Sequence, residues 1–213
     1  SGLIAGMGEH YEGEIEVDMS GKLVLPGFVD AHSHIGLDGY GEPGVDINER
    51  NDICCPQLRA IDGVNPMDES FVYARSAGIT CVCTGPGSAN VLGGTFTAIK
   101  TAGTRIDDMI VKKEAAMKCA FGENPKRCYA SKCDSSRMTT AAILREALMK
   151  ARLYLQKKEA AGDDVFRQPA FDMKLEALIP VLRGQIPLKA RNVHMIIHRI
   201  SAPSFLEIIL NLL

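Results

Sequence analysis

The 213-residue chain has no uninterrupted run of some 18 apolar residues, so nothing in it reads as a membrane-spanning helix. Its first residues lack the basic-then-apolar pattern of a secretory signal. Positive charge is not in excess: 24 Lys and Arg stand against 26 Asp and Glu, for a net charge of −2, and no basic stripe recurs. No nucleic-acid or membrane partner is therefore expected, and a cytoplasmic location follows by default. Seven cysteines, an odd number without repeated C-x-x-C spacing, do not make a disulfide framework in a chain this long and read as reduced thiols. There are no internal repeats or low-complexity tracts. With 46% hydrophobic and 23% charged residues, the composition is that of a globular protein.

The densest chemistry lies in Leu23-Val24-Leu25-Pro26-Gly27-Phe28-Val29-Asp30-Ala31-His32-Ser33-His34, an apolar run that ends in two histidines one residue apart. In a strand, alternate side chains share a face, so Asp30, His32 and His34 point one way and Ala31 and Ser33 the other. Two imidazoles so placed can grip one metal ion with little reorganisation. Five histidines predict only about 0.1 His-x-His pairs by chance. The glycine-rich stretch that follows, Gly36 to Gly44, adds context, since barrel enzymes keep their chemistry at the carboxyl ends of buried strands. The bland alternative is a pair of packed histidines without metal.

The order of elements is that of an α/β protein. Leu3 to Ala5 and Glu14 to Met19 read as short strands, and Asn65-Pro66-Met67-Asp68-Glu69 as a helix start with Asn as cap and Pro at the first helical position. Gly78 stops that helix, and Ile79 to Thr84 follows as a second strand, which completes a parallel strand–helix–strand unit. Within it Cys81 and Cys83 share a face and read as small core residues rather than ligands. Phe96 to Lys100 and Met109 to Val111 read as short strands, and Ala115 to Phe121 as the third barrel strand. Thr139 to Lys158 and Phe171 to Leu182 are amphipathic helices, and Ile186 to Ala190 is a fourth strand.

The stretch from Gly21 to His34 resembles the first barrel strand, with its lead-in, of the amidohydrolase superfamily. Thr84 to Asn90 and Phe121 to Arg127 resemble its imidazolonepropionase-like branch. The resemblance implies an α/β fold: part of a (β/α)8 TIM-type barrel, about its first four strands, preceded by part of a small β-sandwich. On that reading residues 1–25 are the partial β-sandwich segment and 26–190 the N-terminal part of a metal-dependent hydrolase barrel. Residues 191–213 are an atypical tail, read as out of frame or beyond a break, because the resemblance stops at Ala190. A complete barrel takes about 250 residues, so the chain is expected to be a fragment, and Ser1 in place of an initiating Met agrees. Little or no turnover is expected of it alone, and its open strand edges favour a homo-oligomer.

His32 and His34 are the candidate metal ligands, for a divalent ion that is Zn first, with Fe or Mn as alternatives. The resemblance implies that further ligands and an aspartate proton shuttle come from later strands, and that a bridging carboxylated lysine comes from strand three or four, with Lys118 and Lys189 as candidates. It further implies hydrolysis of a non-peptide C–N bond, of the cyclic amide or amidine type, in a small-molecule substrate. Glu123, Lys126 and Arg127 are candidates to bind a substrate carboxylate or help hold metal, with helix-flanking surface charge as the alternative. The loop Gly85 to Gly94 either turns backbone N–H groups towards a substrate oxyanion or is an ordinary tight loop; without a G-K-[ST] ending it is not a P-loop. His194 and His198, four apart, lack the glutamate of an H-E-x-x-H motif, and His10 reads as surface. A non-catalytic barrel scaffold and a dipeptidase-type member of the same superfamily are the competing readings.

Overall fold

Runs of alternating side chains form five strands, β1 Phe28–Ser33, β2 Ile79–Thr84, β3 Leu92–Lys100, β4 Ile110–Ala120 and β5 Leu188–Arg191, joined in that order into one curled sheet that follows half of a barrel wall. The computed structural model describes residues 4–8, 12–39, 44–132 and 135–191. His10, Cys133, His194, His198 and the tail after Arg191 lie outside the described residues.

β1 pairs with β2 in parallel and β4 with β5 in parallel, whereas β3 is antiparallel to both β2 and β4. Four strands therefore run the same way and β3 runs against them, a departure from the all-parallel sheet that the sequence predicts. The connection from β2 to β3 is too short for a crossover helix, so the chain folds straight back as a hairpin. β3 and the segment after it supply the short strands expected near Phe96 and Met109, and the latter merges with the third barrel strand into one long β4.

The helices are α1 Ser70–Ser76, α2 Ile106–Met109, α3 Glu123–Cys128, α4 Arg137–Ala161 and α5 Met173–Leu182. Helix α1 starts later than its expected Asn65 cap. The Asn65 side chain accepts from the Met67 N–H at 3.0 Å and forms a turn, and the Asp68 carboxylate takes the Ser70 N–H at 2.8 Å instead. Gly78, at φ +82, ends the segment as expected. Glu14 to Met19 forms no strand: Ile15 and Val17 are exposed, and a strand that buries no face gains nothing to offset its ordering.

The outer face of β4 and β5 is covered by α4 and α5. Met117, Cys119 and Leu188 pack with Leu144, Leu148, Ala151, Leu178 and Val181 in one buried cluster. Ser136 opens α4 with a capping box and the Asp172 carboxylate caps α5 by accepting from the N–H groups of Lys174 and Leu175. The two helices are pinned by Glu176, which accepts from the Tyr154 hydroxyl at 2.7 Å and pairs with Lys158 at 2.5 Å. A second cluster, with Val82, Ile99, Phe71, Val64, Leu37 and Met109, covers the outside of β2 and β3 and seats α1. Among the described residues, no helix is long and apolar enough to cross a membrane.

Candidate metal centre

With the apolar side chains of β4 and β5 committed to the helices, the alternate residues face the inside of the curl, and the histidine pair lies there. The rings of His32 and His34 stand edge to face, centroids 5.1 Å apart and planes at 85°. Phe96 of β3 backs both, 5.3 Å from His32 and 6.3 Å from His34. Asp30, expected on the same face, bends to its own strand, where its carboxylate accepts from the His32 N–H at 2.9 Å.

His34 Nδ1 lies 2.7 Å from the carbonyl oxygen of Gly85, the residue after β2. A carbonyl can only accept, so Nδ1 carries the proton and, in the neutral ring, Nε2 carries the lone pair. Gly85 is fitted to this place: a Cβ on it would come within 2.4 Å of the Phe96 ring. Only a residue without a side chain lets that ring lie beneath the carbonyl that orients His34.

Two lysines complete the inner face. Lys118 of β4 and Lys189 of β5 are in-register neighbours, with their amines 5.6 and 4.4 Å from the Phe96 centroid. Lys118 is fully buried, and the Lys189 amine donates to the carbonyl oxygen of Ala31, between Asp30 and His32. Burial lowers the Lys189 ammonium below its ordinary value, against the opposing pull of Cys83 and Asp30, and burial raises the Cys83 thiol beside it.

The donor set fits a soft-to-borderline divalent ion in part. Two imidazoles lie side by side, one with its far nitrogen fixed by a backbone carbonyl, as metal-ligating histidines commonly are. No group of three or more His, Cys, Asp or Glu comes together among the described residues, so the pair would be two ligands of a larger set. Cys54 and Cys119 are pushed up by burial, to about 11 and about 12, and stay protonated thiols at neutral pH.

The other sequence candidates lie elsewhere in the bonding pattern. On α3, Lys126 pairs with Glu123 at 3.1 Å, and Arg137 approaches the same carboxylate at 4.0 Å. Arg127 is exposed on that helix. In the loop after β2, the N–H groups of Gly87, Ala89 and Val91 donate to the Ile47 carbonyl, Asn48 Oδ1 and the Ile53 carbonyl at 2.6, 3.2 and 2.9 Å. That loop is a packed turn, and those three donors are committed to the protein itself rather than to an oxyanion. Phe96 reads in the sequence only as a strand residue, and Gly85 only as the start of a loop that offers N–H groups; the structure uses the Gly85 carbonyl instead, to orient His34.

No family model matches the chain. It is 32% identical to amidohydrolase tasK of Hapsidospora irregularis over 84% of this chain and 21% of that protein. Adenine deaminase 1 of Rhizobium johnstonii is 56% identical over 32 residues, 15% of this chain and 6% of the deaminase. The crystal structure of an amidohydrolase from Thermotoga maritima MSB8 superposes with a TM-score of 0.73 at 40% identity, covering 84% of this chain and 50% of that one. The chain thus spans about half the length of the solved relative and a fifth of the curated one.

Proposed function

The chain belongs to the amidohydrolase superfamily, and on that premise we propose that it forms the first part of the barrel of a metal-dependent hydrolase that cleaves a non-peptide C–N bond. The observation that carries the reading is the His32–His34 pair on the inner face, with His34 locked by the Gly85 carbonyl. The bond class, cyclic amide or amidine, agrees with the resemblance to the imidazolonepropionase-like branch and with the adenine deaminases that match part of the chain. A divalent ion, Zn first, supplies Lewis acidity towards water and the substrate when bound.

The protein's own contribution is binding and orientation. His32 and His34 would hold the ion, and Gly85 keeps His34 in the tautomer whose Nε2 can donate an electron pair. Phe96 walls one side of the pair, with His34 half-buried and His32 open to solvent. Lys118 and Lys189 are the candidates for the lysine that the family resemblance places beside the metal, and both reach the same aromatic ring as the histidines. Glu123, Lys126 and Arg127 remain candidate substrate contacts on the loop side of β4.

Metal analysis of the purified intact protein, in which the remaining ligands are supplied, tests the reading. Wild type is expected to retain Zn, Fe or Mn through gel filtration, and the double variant His32→Ala, His34→Ala to lose most of it. Equal metal content in both would sink the assignment.

A further inference from the structure

The turn that follows His34 is tied to the rest of the fold on both sides of the histidine. Before it, the Ser33 carbonyl accepts from the Gly85 N–H at 3.2 Å; after it, the Ile35 carbonyl accepts from the Thr84 hydroxyl at 2.8 Å. The His34 ring bonds the Gly85 carbonyl between these two links. Thr84 is fully buried, so its hydroxyl is placed by the sheet and not by solvent.

One residue further, the turn is clamped from α1. Asp68 is 2% exposed, and its two oxygens do different things. Oδ1 accepts from the N–H and hydroxyl of Ser70 and so serves the helix start. Oδ2 reaches back 32 residues to accept from the Gly36 N–H at 3.2 Å. The Gly36 carbonyl in turn accepts from the Asn65 N–H at 2.8 Å, and the Leu37 N–H closes the turn on the His34 carbonyl at 3.0 Å. Gly36 sits at φ +82, with Val64 only 2.8 Å from where a Cβ would be, so this turn has one seat and one backbone conformation. A buried carboxylate needs such donors, and a cap for α1 alone would use Oδ1 and leave the second oxygen to be satisfied elsewhere.

We infer that Asp68 and Thr84 are positioning residues for His34: by fixing residues 35–37 they hold the imidazole against Gly85 in the Nδ1–H tautomer, with Nε2 as the ligand atom. The inference rests on the metal-site reading for its purpose, but not for its geometry. Neither residue is adjacent to a histidine in sequence, and neither is a ligand.

The test uses Asp68→Asn, Thr84→Val, Thr84→Ser and Ser70→Ala in the whole chain. The readouts are the His34 tautomer, from two-bond proton–nitrogen NMR correlations assigned with His34→Gln, and Zn2+ affinity by titration. Asp68→Asn would turn a side-chain N–H towards the Gly36 N–H, and Thr84→Val removes the hydroxyl without changing side-chain shape. Both are expected to convert a dominant Nδ1–H tautomer into a mixture and to weaken Zn2+ binding about tenfold. Thr84→Ser, which keeps the hydroxyl, and Ser70→Ala, which touches only the Oδ1 side, should retain the wild-type tautomer. The inference is overturned if Asp68→Asn and Thr84→Val keep the wild-type tautomer, or if Ser70→Ala moves it as far as Asp68→Asn does, which would make the effect a general one of α1. A wild type that takes up no Zn2+ while its variants still shift the tautomer would remove the metal reading and leave the positioning role standing.

Discussion

On the outer face of the sheet, Met117, Cys119 and Leu188 meet Leu144, Leu148 and Leu178 from two helices; one residue along the same strands, on the inner face, Lys118 and Lys189 meet Phe96, which backs His32 and His34. Met117 and Lys118 are equally inaccessible, each with no exposed surface. The outer face is made of side chains that gain by leaving water, roughly 1.5–3 kcal/mol for each large one. The inner face instead carries an amine and two imidazoles, polar groups that gain less than apolar ones by leaving water. A fold that tolerates such groups on one face depends on the other for its free energy, which is the division expected of a scaffold that carries a site.

The sharpest way to break that division is to cut into the outer face. Leu148→Ala, at a fully buried position, should cost about 2–5 kcal/mol, read as a lowered urea midpoint at unchanged slope. A loss under about 1 kcal/mol would show that the outer layer is not the stabilising one.

Gly85→Ala probes the seam between the faces. The added methyl would meet the Phe96 ring at 2.4 Å, and the ring is fully buried and has nowhere to go. Overpacking of this kind costs about 1–3 kcal/mol, and here it should also displace the carbonyl that orients His34. Urea unfolding together with the His34 tautomer would read both effects; a stability loss with an unmoved tautomer would separate Gly85 from the site.

Acid should weaken the outer layer gradually. Burial raises the Glu176 carboxyl, but the bonds from Lys158 and Tyr154 outweigh it and hold the group below its ordinary value; Asp52 behaves likewise, with Lys174 and the Cys54 and Ile53 N–H groups overcoming burial. A carboxyl depressed in the folded state contributes stability above its unfolded value that is lost as the pH falls through the folded one. Thermal midpoints should therefore be level near neutrality and fall below about pH 4. Glu176→Gln should flatten part of that fall.

The smallest effect belongs to the surface. Lys126→Gln breaks an exposed pair with Glu123 and should change stability by no more than about 0.5 kcal/mol. If it also leaves the proposed hydrolase activity unchanged, Lys126 is surface charge rather than a substrate contact.

Much of this layout was legible in the residue order. The second strand fell where Ile79 to Thr84 alternates, α4 where Leu144, Leu148 and Ala151 repeat, and the histidine pair where an apolar run ends. The antiparallel β3 was legible only as pieces, because Gly93, Gly94 and the threonines around Phe96 weaken the alternation that marks a strand. Glu14 to Met19 alternates well yet forms no strand, since the pattern states a preference for a buried face and not whether a partner for it exists.

By itself, the sequence determined the local periods, the strand that brings in His32 with His34 just past its end, and the amphipathic helices, because these follow from spacings of two and 3.6 residues within one segment. Only the tertiary structure decided that Phe96, some sixty residues away, backs both imidazoles, that Gly85 supplies the carbonyl that fixes one of them, and that Asp68 closes the turn behind it. Those are contacts between segments far apart in the chain, set by sheet order and register, and no local pattern encodes which residue will stand opposite another.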